Sequence, residues 1–160
     1  MARHRALWIG VGVALLVVFL DQATKLAAEA WLMPYRPVSV MPMLNMTLSF
    51  NTGAAFSFLH DQSGWQRWFF AALALVVSGA LVVWLARLGR SFGWQGLGIA
   101  LILGGAVGNL IDRLAYGHVI DFIDVYYGDW HWPAFNIADS GITVGAVILI
   151  AESVFAQRQA

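Results

Sequence analysis

The sequence predicts an all-α membrane protein: four transmembrane helices carrying a small extracytoplasmic β-cradle and a short interfacial segment. Three observations predict it. Of 160 residues, 60% are hydrophobic and only 11% charged, against roughly 25% charged in an average soluble domain. Four apolar runs reach the roughly 20 residues that cross a bilayer as helix. The eight tryptophans include Trp8, Trp31, Trp65, Trp68, Trp94, Trp130 and Trp132, near the run ends, as in interfacial aromatic belts.

The runs lie near Ala6–Ala30, Trp68–Leu88, Gly93–Tyr116 and Asn136–Phe155. The first resembles a signal peptide, with Arg3 and Arg5 before its apolar stretch and Ala28-Glu29-Ala30 at its end mimicking a small-residue cleavage site. Asp21 and Lys25 intervene before that site, which favours a retained span. Arg3, Arg5, Arg87, Arg90 and Arg158 place both termini and the middle loop in the cytoplasm by the positive-inside rule. The long connections, 31–67 and 117–135, then share the opposite side, and 1–160 reads as a single integral membrane domain.

In the first connection, Leu44, Met46, Leu48 and Phe50 alternate with Asn45, Thr47, Ser49 and Asn51, the period of a half-buried strand. Such a strand needs partners, because unpaired backbone groups are not tolerated in hydrocarbon. The β-prone stretch "VIDFIDVYY", Val119–Tyr127, is a candidate partner. "HDQSGWQRWFF", His60–Phe70, reads as an interfacial segment leading into the second span.

Polar residues fall in stripes. Asp21, Thr24 and Lys25 share one face of the first span, acid four residues before base as pairing prefers. Asn109, Asp112, Arg113 and Tyr116 line the outer end of the third span, and Asn136, Asp139 and Thr143 the head of the fourth. Gly104 with Gly108, and Gly141 with Gly145, permit close helix approach. The second span, with Ser78 the only polar residue within its apolar stretch, reads as scaffold.

The balance of nine basic and nine acidic residues offers no large patch for nucleic acid. There is no cysteine for a thiolate nucleophile or a thiolate metal site. His60, His118 and His131 lack ligand spacing, which argues against a metal, and no lysine other than Lys25 is available for a Ser/Lys pair. Chemistry by two carboxylates remains, one as base toward water and one as acid toward a carbonyl. Asp112, next to Arg113, reads as salt-bridged to it, and Asp129 lies in a polar loop; Asp121, Asp124 and Asp139 stay as candidates.

Four blocks in order, "DQATK" (Asp21–Lys25), "NTGAAF" (Asn51–Phe56), "GGAVGNLIDR" with "GHVIDF" (Gly104–Phe122) and "FNIAD" (Phe135–Asp139), resemble the lipoprotein signal peptidases, or signal peptidase II. These are four-span aspartic peptidases of the bacterial inner membrane. The resemblance implies a catalytic pair at Asp121 and Asp139 and a bystander role for Asp124. It implies that Asn51, Gly53, Asn109, Arg113 and Asn136 line the substrate site, with Asp21, Lys25 and Asp112 as polar support. It further implies no cofactor, a diacylglyceryl-modified prolipoprotein as substrate, contact with membrane lipid, inhibition by the cyclic peptide globomycin, and an active site toward the periplasm. The alternative class is a small proton-coupled transporter or channel, which expects acids near mid-bilayer and inverted repeats.

Overall fold

The computed structural model describes residues 4–53 and 64–157. Four helices form the membrane part: α1 (Arg5–Trp31), α2 (Trp65–Arg87), α3 (Gly93–Ala115) and α4 (Ile137–Gln157). All four are long and apolar enough to cross a membrane. At one end of the bundle lies a four-stranded antiparallel sheet in sequence order, β1 (Val38–Met41), β2 (Leu44–Asn51), β3 (Val119–Tyr127) and β4 (Trp130–His131). Residues 54–63 lie outside the described residues, and with them the second half of "NTGAAF" and the first part of the expected interfacial segment. Its later part belongs to α2, which begins at Trp65 rather than Trp68, because the apolar period continues back through Trp68 and Trp65 to Gly64 with its positive φ of 74°.

The period-two stretch is β2 over the residues read from alternation, and "VIDFIDVYY" is β3, its partner. Between the Met46–Ile123 and Ser49–Asp121 pairs, β2 advances three residues while β3 advances two. The extra residue is a β-bulge, a device that re-aims side chains beside sites, and it falls next to Asp121. β1 and β4 escaped the sequence reading: β1 is exposed throughout and β4 has two residues, so neither has a buried face to leave a pattern.

Two apolar clusters enclose a polar layer. In the bundle, Ala14, Leu81, Leu85, Ile99 and Leu103 pack together. At the sheet end, Ala28 of α1, Leu48 of β2 and Ile120 and Phe122 of β3 pack with Ile137, seating the sheet on the C-terminal end of α1 and the head of α4. α3 is the central helix, and its glycines set how closely its neighbours approach. A Cβ on Gly105 would lie 2.3 Å from the Ala138 carbonyl oxygen of α4, and one on Gly108 would lie 2.7 Å from Oδ2 of Asp21. The small residues of α3 thus make room for a backbone on one side and a carboxylate on the other.

Candidate active site

The polar layer is built where α1, α3, β3 and the head of α4 meet. Asn136 caps α4 reciprocally with Asp139: the Asp139 N–H donates to Asn136 Oδ1 at 2.9 Å, and the Asn136 N–H donates to Asp139 Oδ2 at 3.3 Å. This is the capping-box arrangement, which satisfies orphan donors of the first turn. A third N–H of that turn, from Ala138, is taken by Asp21 of α1 at 2.9 Å. An Asn and an Asp at the entrance of an apolar run are therefore first the local reason why the helix starts there.

Because Asn136 Oδ1 is occupied by a fixed N–H, its Nδ2 must point the other way. There it reaches Asp121 Oδ1 at 2.8 Å, the Ile120 carbonyl at 3.1 Å and Asn109 Oδ1 at 3.2 Å. Asn109 in turn donates from Nδ2 to Asp139 Oδ1 at 2.7 Å. One asparagine thus bonds both acids, one from a strand and one from a helix, and a second completes the ring. Asn51, at the end of β2, hydrogen-bonds Asp121 as well. Burial, then the charge of Asp139, push the Asp121 carboxyl up to about 7, against the hydrogen bonds from Asn51 and Asn136 and the charge of Lys25.

Beneath this ring lies a buried ionic cluster. Lys25, 1% exposed, spends all three ammonium hydrogens: 2.8 Å to Asp21 Oδ2, 2.7 Å to Asp112 Oδ2 and 3.1 Å to Asn109 Oδ1. Asp112 also accepts the Ile120 N–H at 3.1 Å and Gln22 Nε2 at 2.8 Å. The expected Asp112–Arg113 salt bridge is thereby corrected, since the partner of Asp112 is Lys25 of another helix. Consecutive helical residues point about 100° apart and do not face each other. Arg113 instead donates to the Asn109 carbonyl at 3.2 Å and lies 5.3 Å over the Phe70 ring, facing the charges of Asp139, Asp121 and Asp112.

Gly53, at a φ of +94°, donates its N–H to Asn51 Oδ1 at 2.8 Å and leaves no room for a Cβ, which would meet the Phe70 ring at 2.7 Å. α2 is therefore more than scaffold: Phe70 supports both Arg113 and the Asn51–Gly53 turn. Phe70 and Gln22 were missed, the first because an aromatic in an apolar run carries no signal, the second because it lies off the Asp21–Lys25 face. A cavity of about 420 Å³ lined by Trp132, Phe135, Asp139, Ser140, Thr143 and Val144 opens beside Asp139.

Asp124 stands apart. Its carboxylate accepts from Asn45 of β2 at 3.0 Å and meets His131 of β4 at 2.8 Å. Burial raises its pKa, but these hydrogen bonds outweigh it and hold the group below the usual carboxylate range. It clips three strands together.

A family model described as signal peptidase (SPase) II matches residues 13–155. Among similar proteins, a lipoprotein signal peptidase of Pseudomonas fluorescens Pf-5 is 57% identical over 145 residues, covering 89% of this chain and 83% of its own. One of Acinetobacter baumannii ATCC 17978 is 51% identical over 156 residues, covering 98% and 88%. Two solved bacterial membrane enzymes superpose with TM-scores of 0.82 and 0.83 at 32% and 31% identity. The first match covers 95% of this chain and 96% of the other, the second 98% and 94%.

Proposed function

The chain belongs to the signal peptidase II family, and from that premise we propose that it removes prolipoprotein signal peptides as an aspartic endopeptidase whose catalytic pair is Asp121 and Asp139. The family carries the peptidase activity; the transporter alternative finds no support among the relatives. The aspartic reading rests on one observation: the two carboxylates, delivered by β3 and α4, are bonded by the same Asn136 side chain and backbone.

The pair divides the work by environment. Asp139 accepts an N–H hydrogen bond at each oxygen, from Asn109 and from the Asn136 backbone, the setting of a carboxylate base. Asp121, held near 7, carries the shared proton. Asp139 takes a proton from water as the oxygen attacks the scissile carbonyl, and Asp121 gives its proton to the carbonyl oxygen. On collapse of the tetrahedral adduct, the amide nitrogen leaves with the proton held by Asp139 and the adduct hydroxyl returns one to Asp121. Asn51, Gly53 and Arg113 line the approach and orient the peptide.

The substrate's cleavage point lies before a diacylglyceryl-modified cysteine, with the extended peptide held along the β2–β3 cradle and the lipid remaining in the bilayer beside α4. The enzyme sits in the bacterial inner membrane, both termini cytoplasmic and the pair toward the periplasmic face, within reach of globomycin. Each buried methylene contributes about 0.8 kcal/mol, though only the share that positions the scissile bond accelerates the reaction. In liposomes, with both substrates confirmed as inserted, the unmodified prolipoprotein is expected to be cleaved slower than the diacylglyceryl form by on the order of 10- to 100-fold. Equal rates would remove the lipid from the recognition step, and no cleavage of either would sink the peptidase reading.

A pH profile tests the division of labour. A carboxyl raised to about 7 by burial and the neighbouring Asp139 charge keeps its proton below that pH and loses it above. The kcat is therefore expected to decline as pH rises through about 7, by about tenfold per unit. The charged groups facing Asp121 are Asp139, Lys25 and Arg113. A folded-state value above the ordinary one also means that Asp121 contributes stability fully at acid pH, a contribution lost as pH rises through about 7. A kcat still rising above pH 8 would contradict the assignment.

A further inference from the structure

The ionic cluster beneath the acids does more than fill space between helices. Lysine offers three donors and no acceptor, so the amide atom of Asn109 that faces Lys25 is oxygen, and its Nδ2 is turned onto Asp139. Asn136, whose own orientation is fixed by the Asp139 N–H, supplies a second donor to the same Asn109 oxygen. The other two bonds of Lys25 run to the backbone on either side of the site. Asp21 holds the N–H of Ala138, the residue before Asp139, and Asp112 holds the N–H of Ile120, the residue before Asp121. Each donor of one ammonium group is thus one residue removed from the acid pair.

We propose that Lys25 is a positioning residue for the reaction: by fixing the Asn109 amide with its N–H toward Asp139, it keeps that oxygen an acceptor and so decides which acid of the pair carries the proton. Rotation of the Asn109 amide would present an oxygen to Asp139 and demand a proton there instead, exchanging acid and base. The proposal rests on the Asp121–Asp139 reading, and wild-type cleavage of the diacylglyceryl substrate is the control that separates the two: without it the catalytic reading fails first.

The test uses two variants of the full-length protein in detergent or liposomes. Lys25→Met/Asp112→Asn removes one positive and one negative charge together, so the buried charge balance is kept while the donor to Asn109 is lost. It is expected to lower kcat on the order of 100-fold, the scale of one lost preorganising donor, with KM within about threefold. The acid limb of its pH profile is expected to move upward, because Asp139 as the base loses the fixed N–H that Asn109 donates to it. A support that merely holds the helices together would leave a folded variant's pH profile in place, so wild-type kcat and an unmoved limb would overturn the proposal.

Asn109→Asp decides the matter independently of whether the double variant folds. The new carboxylate still accepts from Lys25, so the protein is expected to fold, but it offers Asp139 no donor. Activity is expected to fall on the order of 100-fold at pH 7 and to recover in part as acidification protonates the new side chain. Full activity at pH 7, no recovery at low pH, or loss of folding would each contradict an oxygen-toward-lysine, donor-toward-acid orientation.

Discussion

Asp121→Asn and Asp139→Asn are each expected to lower the cleavage rate by on the order of 10⁴-fold while leaving the protein inserted and folded. The reason is bookkeeping of protons. A pair in which one acid donates and the other accepts has no function left when either becomes an amide, since an amide offers neither an acidic proton nor a basic oxygen at neutral pH. Folding should survive because the amide oxygen of an Asn at 139 can still accept the Asn136 N–H that closes the cap, and an Asn at 121 keeps an oxygen for Asn136 Nδ2. Asp124→Asn is the discriminating control. Its carboxylate bonds Asn45 and His131, away from both acids, so its replacement should change activity by less than about tenfold, through the strand clip alone. An inactive Asp124→Asn beside an active Asp121→Asn, read from a gel-shift time course, would move the pair and sink the assignment.

How much of this was legible depends on what kind of signal each part leaves. β2 was readable because Leu44 to Asn51 alternates, and it alternates because one face packs on Ile120 and Phe122 while the other meets polar partners. The spans were readable because hydrocarbon imposes length and composition, and the stripes on α1, α3 and α4 because a polar face must converge on other polar faces. What the sequence withheld was the wiring. Asp112 stands next to Arg113 in the chain, and adjacency suggested a pair that helix geometry forbids; its partner came from α1, 87 positions away by number, for which no local pattern exists. Likewise, three acids remained as candidates until the family resemblance chose two. The physical distinction between Asp121 and Asp124, three positions apart on one strand, is made by their neighbours in β2, β4 and α4.

Lys25→Met is expected to be the most destabilising single substitution in the polar layer. Asp21 and Asp112 are both fully buried, and Lys25 is the cation that pairs with each, at 2.8 and 2.7 Å. Removing one partner of a buried ion pair costs about 3–5 kcal/mol, because a charge is left in a medium that solvates it poorly, and here two acids lose their counterion at once. Set against a total stability of about 5–15 kcal/mol, that is enough to depopulate the folded state or to lower its melting temperature by about 10 °C or more. The acids can respond by taking up protons, but a protonated Asp21 or Asp112 must then place a hydroxyl beside donors: the Ala138 N–H at one, the Ile120 N–H at the other, and Gln22 Nε2 at both. Asp112→Asn should be much milder, since Lys25 keeps Asp21 and the remaining pair is neutral. Lys25→Met/Asp112→Asn should fall between the two, because it leaves one buried acid, Asp21, without its counterion where Lys25→Met leaves two. That order, Asp112→Asn above the double variant above Lys25→Met in thermal melts, is what charge compensation requires. If Lys25→Met melts with the wild type, the buried cluster is not held by its ammonium group and the neutralisation argument fails.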